Sequence, residues 1–293
     1  MLQEVAAAPG VRERAVSFES TGKMLRGVLA LPEGERPPER GAVLLHGWGT
    51  YRIGPHAMLV KLARELASRG AAALRFDLRG RGESGGRYAQ TGLDEMINDA
   101  VRAAAFLRKE CGASRIVAAG LCSGANVALG AAAAAGAFER VAALSALPFQ
   151  SHRSAEQSLR RTGGKLGDLA ARALRPSTWL RFVTGRVRVL RVLKNLFGGE
   201  GGTTRTATGE VRNLKDSSRD LMGALAGYRG RVLFVWGGAD AEGAGARRHF
   251  EGFAGEAGLD ARFHVVEGSN HNFYSLAWER EAVDTVAGFL LGE

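Results

Sequence analysis

Three residues of this 293-residue chain have the types and surroundings for covalent acyl chemistry. Cys122 stands in Gly-Leu-Cys-Ser-Gly at 120–124, between the apolar run Arg-Ile-Val-Ala-Ala at 115–119 and a small-residue stretch that begins at 125. A strand that enters a helix across so tight a turn exposes its middle side chain, and glycines two residues before and after let the backbone fold back without Cβ clashes. A thiol attacks best as the thiolate, so it needs a base, and the base needs a carboxylate to orient it. Both are found downstream. Phe-Val-Trp-Gly-Gly-Ala-Asp at 234–240 and Val-Val-Glu-Gly-Ser-Asn-His at 265–271 each read as an apolar strand breaking into a loop, one carrying Asp240 and the other His271.

Each residue also has a plainer reading. A cysteine in a glycine-rich turn can be buried and inert, an Asp after two glycines can be a turn residue, and a loop His is often just hydrogen-bonded. The three together, in the order nucleophile, acid, base, favour catalysis. Glu242 is the nearest rival acid, and Asp220 is a poorer one. Cys111, near a helix end with no glycine frame, reads as structural, and His249 and His264 as packing or surface residues within a helix and a strand. Ser84 reads as a turn hydroxyl. Gly80, Gly82 and Gly85 lack the Gly-Lys-Ser/Thr ending of a phosphate loop, so no nucleotide cofactor is expected. Six His and two Cys without metal-ligand spacing give no reason to expect a metal.

Short apolar runs alternate with helical stretches along most of the chain. A hairpin is expected over 14–20 and 23–31 around Thr21-Gly22, then strands at 42–45, 71–76, 115–119, 141–147, 232–236 and 262–266. Helices are expected near 56–69, 93–109, 242–255 and 276–291. Such alternation predicts an α/β fold with a mostly parallel central sheet flanked by helices. It is interrupted between 150 and 228, so the core divides into 1–149 and 229–293, with 150–228 an inserted segment that is expected to be helical.

The net charge of +10 has one address: residues 151–230 hold 16 Lys or Arg against 6 Asp or Glu, and the remainder is neutral. No nucleic-acid-binding motif accompanies the excess, so no specific nucleic acid is expected as a partner. The basic segment is compatible with a solvated face, with recruitment of an anionic or carrier-bound acyl substrate, or with peripheral contact to an anionic membrane. No apolar run approaches the roughly 20 residues of a membrane span. Two cysteines and a start without a basic, then apolar, leader point to the cytoplasm.

The chain resembles the α/β-hydrolase superfamily along nearly its whole length outside the insertion. His46-Gly47, Asp-Leu-Arg-Gly-Arg-Gly-Glu-Ser at 77–84, the turn at Cys122, Gly-Gly-Ala-Asp at 237–240 and the His271 loop look like those of lid-bearing, serine-aminopeptidase-like hydrolases. The Gly-Leu-Cys-Ser-Gly turn is also similar to that of hydrolases associated with bacterial exosortase gene clusters. Cysteine in place of serine, a substitution shared with dienelactone hydrolases and polyester synthases, argues against ordinary peptidase activity. The resemblance implies that Cys122 attacks an acyl carbon, that His271 takes its proton and later activates water, and that Asp240 holds the imidazole tautomer. It implies an oxyanion hole made by the backbone N–H groups of Trp48 and Ser123, with the insertion as a lid. A helix start and a nearby His should make Cys122 a reactive thiolate. His46, Phe149, Trp179 and Phe273 are expected to line the substrate pocket.

The resulting expectation is a carboxylic ester or thioester hydrolase that forms a cysteinyl acyl-enzyme. Transfer of the acyl group to an amine, alcohol or thiol is the alternative within the same chemistry, and a non-catalytic binding protein is the alternative outside it.

Overall fold

The computed structural model describes residues 4–34, 36–149, 203–205, 211–213 and 217–293. The chain divides into two compact units, Met1–Phe149 with Ser217–Glu293, and Gln150–Asp216. Of the second unit, the described part is an antiparallel pair, Thr203–Arg205 with Val211–Asn213 (β8 and β9).

The first unit is a nine-stranded sheet. Its strands are β1 (Val5–Ala8), β2 (Val11–Ser20), β3 (Lys23–Pro32), β4 (Arg40–Leu45), β5 (Ala72–Phe76), β6 (Arg115–Leu121), β7 (Arg140–Leu144), β10 (Arg231–Gly237) and β11 (Ala261–Val266). They lie in the order β1-β2-β3-β5-β4-β6-β7-β10-β11. The first three meander antiparallel, and every pair from β5 to β11 is parallel. The central strands are buried along almost their whole length, which is why they read as apolar runs, broken in β5 by Arg75, which pairs with Glu13: a parallel sheet is covered on both faces.

Helices α2 (Leu93–Cys111), α3 (Ser123–Ala135), α4 (Leu221–Ala226) and α5 (Gly243–Ala257) contribute to one core cluster, with Met96, Ile97, Val127, Leu225 and Phe250. Helices α1 (Met58–Ser68) and α6 (Leu276–Leu291) contribute to the other, with Leu62, Leu66, Val286 and Leu290. Under α5, Phe234 stacks on Trp236 and Phe250 with ring centroids 5.5 and 4.6 Å away. Small residues let α3 lie close: a Cβ on Gly130 would come within 2.5 Å of Ile97 on α2.

Four details depart from the sequence expectations. β1 pairs with β2 although Val-Ala-Ala-Ala carries little strand signal. α1 starts at Met58 because His56 and Ala57 take positive φ of 39° and 62°. β7 stops at Leu144 because Ser145 turns the chain with φ 49°. Residues 217–228, expected in the insertion, belong to the first unit. There Asp94 accepts hydrogen bonds from Ser217 Oγ at 2.5 Å and from Ser218 N and Oγ at 2.9 and 2.6 Å, and Leu221 and Leu225 enter the core. Asp220 caps α4, accepting from Gly223 N at 2.9 Å.

The parallel strands all point their C-terminal ends to one edge, where loops after β4, β6, β10 and β11 converge, as ligand sites do in open α/β sheets. The turn after β6 is the tightest. A Cβ on Gly120 would lie 2.1 Å from Gly124 O, and one on Gly124 would lie 2.3 Å from Leu45 O. Gly120→Ala and Gly124→Ala should therefore each cost about 3 kcal/mol through forced backbone movement. Gly252→Ala, in open space on α5, should instead stabilise by about 0.5–1 kcal/mol. Urea denaturation of the three variants measures the contrast.

Candidate active site

The turn between β6 and α3 holds Cys122 at φ 57°, ψ −123°, a conformation that a residue with a Cβ adopts only under constraint. The constraint is visible in the backbone: Cys122 N–H donates to Leu144 O at 2.8 Å, and Ala125 N–H donates to Cys122 O at 3.0 Å. Cys122 is half-buried and not disulfide-bonded. Its side chain is hydrogen-bonded to His271, and His271 Nδ1 donates to Asp240 Oδ2 at 2.7 Å. The three residues, 118 and 31 positions apart in sequence, are thus brought into one relay.

Backbone closeness makes this convergence possible. A Cβ on Gly237 would lie 2.4 Å from Ser269 O and 2.5 Å from Asn270 O, so the Asp240 and His271 loops pack main chain against main chain. Ala239 N–H bonds Ser269 O at 2.8 Å, while Asn270 Oδ1 accepts from the amides of Asn272 and Tyr274, both at 3.1 Å. Ser145, just past the end of β7 beside the Cys122 turn, donates its hydroxyl to His271 O at 2.8 Å. His56 Nε2–H donates to Asn272 O at 2.7 Å, and its Nδ1 meets the Glu279 carboxylate, which also takes Lys61 at 2.5 Å. Sequence reasoning missed Ser145 and His56. A lone polar residue ending a strand was the available signal for Ser145, whereas His56 had none.

The electrostatics follow from these contacts. His271 is pushed up to about 10, first by its hydrogen bond to Asp240, then by the one to Cys122, with the charge of Cys122 adding to both and burial opposing. Burial acts to raise Asp240, yet the bond and charge of His271 and the amides of Glu242 and Gly243 hold it below its ordinary value. Glu242, the rival acid, contributes that backbone amide, 3.2 Å from Asp240 Oδ1, while its side chain is exposed at the start of α5. A raised His and a lowered Asp are what an imidazolium paired with a carboxylate produces.

The loop after β4 lies beside Cys122: a Cβ on Gly47 would be 3.5 Å from the Cβ of Cys122. Among the described residues, neither Trp48 N–H nor Ser123 N–H donates to a protein acceptor. The carbonyl of the Gly47–Trp48 peptide is loaded from behind by His46 Nδ1–H at 2.8 Å, Thr50 N–H at 3.3 Å and Thr50 Oγ1–H at 3.2 Å. Hydrogen bonds to a carbonyl polarise the N–H of the same peptide and make it a better donor.

This corrects two expectations about the pocket. His46 is 1% exposed, and both ring nitrogens are engaged, since Nε2 accepts from Leu78 N–H at 3.1 Å. That acceptor role fixes the proton on Nδ1. Burial pulls His46 down to about 4, although Gly47 O and Asp77 act the other way. Phe273 is fully buried in the α1/α6 core, so it offers no surface to a substrate; it sits at φ 53°, closing the turn after His271. Phe149 is half-buried against the opposite core and Trp48 is half-buried against the same cluster. Trp179 lies outside the described residues. Among the described residues, no three His, Cys, Asp or Glu side chains converge on a metal position, and no helix is long and apolar enough to cross a membrane.

Two pH dependences follow. A free His titrates near 6.5 and His46 near 4, so the unfolded chain takes up a proton that the folded one refuses between those values. Stability from this group is complete above pH 6.5 and falls as pH drops to about 4, by on the order of 3 kcal/mol. Chemical denaturation of His46→Asn should show lower stability at pH 7 but a flatter acid slope. For His271 the sign is opposite: its contribution is complete below pH 6.5 and is lost as pH rises through about 10. Imidazole NMR titration should find the His271 midpoint lowered in Asp240→Asn, and lowered by less in Cys122→Ser.

Comparison with known proteins places this geometry. The sequence matches the model of the alpha/beta hydrolase family over residues 42–287. No curated protein matches it significantly. Among similar solved structures, Est1E from Butyrivibrio proteoclasticus, solved with ferulic acid bound, has 16% identity and a TM-score of 0.64 over 95% of this chain and 100% of that one. The Pyrococcus furiosus esterase Pf2001 has 18% identity and a TM-score of 0.66, covering 96% of this chain and 90% of its own. A dienelactone hydrolase from Anabaena variabilis has 16% identity and a TM-score of 0.61, covering 97% and 98%. The family match spans most of the chain, from the strand before His46 to the helix after His271, and the nine-stranded sheet has the fold of these structures: the chain belongs to the alpha/beta hydrolase family.

Proposed function

We propose that this protein hydrolyses carboxylic esters or thioesters through a cysteinyl acyl-enzyme. The observation that carries the reading is the relay itself, a cysteine on a strained strand-to-helix turn bonded to a histidine that is bonded in turn to a buried carboxylate. A histidine raised to about 10 by these partners favours a resting thiolate–imidazolium pair, so attack needs no prior proton transfer.

In this reading Cys122 Sγ adds to the acyl carbon, and the carbonyl oxygen takes the electron pair and meets the N–H groups of Trp48 and Ser123. Collapse expels the alkoxide or thiolate leaving group, which takes its proton from His271. The neutral imidazole then removes a proton from water as the hydroxide adds to the thioester, and the second collapse returns Cys122 as thiolate beside a protonated His271. Asp240 keeps Nδ1 protonated, leaving Nε2 as the working nitrogen. Ester chemistry is what the name of the Pyrococcus furiosus structure describes, and thioester chemistry that of another, a thioesterase domain from the curacin biosynthetic pathway.

Intact-protein mass spectrometry tests this with p-nitrophenyl acetate and a short acyl thioester. The wild type should gain one acyl group that clears in water, and Cys122→Ala should gain none, with turnover down at least about 10³-fold. An adduct that persists until an amine, alcohol or thiol is added would redirect the reading to acyl transfer, and absence of any adduct on either protein would contradict it.

A further inference from the structure

Two arginines sit two residues apart in the loop after β5, and their surroundings differ. Arg79 is saturated: its guanidinium pairs with the buried carboxylate of Asp99 and donates to Ser20 Oγ at 3.1 Å and Thr21 Oγ1 at 2.6 Å. Arg81 is 5% exposed, and among the described residues no carboxylate pairs with it. It donates from Nε to Trp48 O at 2.9 Å and from Nη1 to Arg79 O at 3.0 Å, while Nη2 is buried with no partner among the described residues. Its guanidinium carbon lies 4.6 Å from the Trp48 ring centroid and 4.7 Å from that of Tyr88, and the two rings meet edge to face at 6.1 Å.

The loop is built to turn this side chain inward. Gly80 and Gly82 flank Arg81 at φ 69° and 50°. A Cβ on Gly82 would collide with the Asp77 carboxylate at 2.1 Å, and one on Gly80 would lie 2.7 Å from the backbone of Arg87. Asp77, fully buried, holds the loop through the amides of Arg52 and Glu83, at 2.8 and 2.9 Å, and through the Arg52 guanidinium. Burying a guanidinium with neither a counter-ion nor a full set of acceptors is costly. Burial pulls Arg81 down to about 10, against the pull of Tyr88 and Asp99, so it is still charged at neutral pH.

We infer that Arg81 is a positioning residue for the oxyanion amide, fastening the Trp48 carbonyl and clamping its indole so that the Trp48 N–H stays aimed beside Cys122. The inference rests on the proposed acyl chemistry. Trp48 is then gripped on both sides, through the Gly47 carbonyl by His46 and Thr50, and through its own carbonyl by Arg81. The one buried cation of this loop that lacks an ion pair among the described residues is the one bonded to the residue that would donate to the oxyanion. A preorganised donor matters most in a reaction that creates an oxyanion and not at all in one that does not.

That difference supplies the test. Acylation of Cys122 by p-nitrophenyl acetate passes through a tetrahedral oxyanion, whereas alkylation by iodoacetamide displaces iodide at a saturated carbon. Arg81→Met and Arg81→Lys should slow acylation by about 10- to 100-fold, in kcat and not in KM, with alkylation changed less than twofold. Guanidinium ion should partly restore Arg81→Ala. Circular dichroism and thermal melts identify any variant that fails to fold, and Arg81→Lys keeps the charge where Arg81→Met does not. Equal loss of acylation and alkylation, or no loss of acylation, would overturn the role. Nitrogen-15 relaxation of the Trp48 backbone amide gives an answer independent of catalysis: a lower order parameter in Arg81→Met is expected, and an unchanged one overturns the clamp. If wild-type Cys122 is never acylated, the acyl-enzyme reading fails, while the relaxation measurement still decides whether Arg81 holds Trp48.

Discussion

Backbone packed against backbone at Gly120 and Gly124 is the constraint from which the site follows. With no side chain on either residue, the end of β6 and the first turn of α3 close to distances that a single methyl group would forbid, and α3 meets the main chain leaving β4. Cys122, caught between them, is driven to φ 57° and stands out at the C-terminal edge of the sheet. The same contact brings the β4 loop, with Gly47 and Trp48, alongside the thiol. The strain is local and of the order of 1–3 kcal/mol; it is held by the strand hydrogen bonds and by a core cluster on each face of the sheet.

A second close approach, Gly237 against Ser269 and Asn270, does for Asp240 and His271 what the first does for Cys122. Side chains then tune what the backbone has placed. Ser145 and His56 each hold a carbonyl of the His271 loop, from different sides of the chain. His46 donates from Nδ1 to the Gly47 carbonyl and accepts at Nε2 from Leu78, and Arg81 bonds the next carbonyl along. His46, Ser145 and Arg81 are themselves buried, and fixed, buried partners are what electrostatic preorganisation requires.

Much of this was legible in the sequence because buried parallel strands and a glycine-framed turn leave strong local marks. The runs at β4, β6 and β10 are apolar after their opening arginine and β5 is broken only by Arg75, and the Asp and His fall where their strands break. What was hidden depends on burial and on distant partners. His46 and Phe273 sit beside the right residues in sequence, but proximity along a chain does not say which face a ring turns to; one is buried behind the peptide it supports and the other beneath its own loop. The stem at 217–228 reads as part of a basic insertion, yet Asp94, more than a hundred positions away, draws Ser217 and Ser218 into the first unit. Arg81 carries no motif of its own. Its meaning lies in what it lacks among the described residues, a paired carboxylate, and that is visible only with its neighbours in place.

The central claim is that Cys122 rests as a thiolate held by His271, and the pH dependence of Cys122 alkylation by iodoacetamide tests it most directly. The account predicts a wild-type rate that is already high at pH 6 and nearly level to pH 9, with His271→Ala slower at pH 6 and rising with an ordinary thiol midpoint near 8.5. A wild-type rate that climbs along the ordinary thiol curve, and is indifferent to the loss of His271, would contradict it.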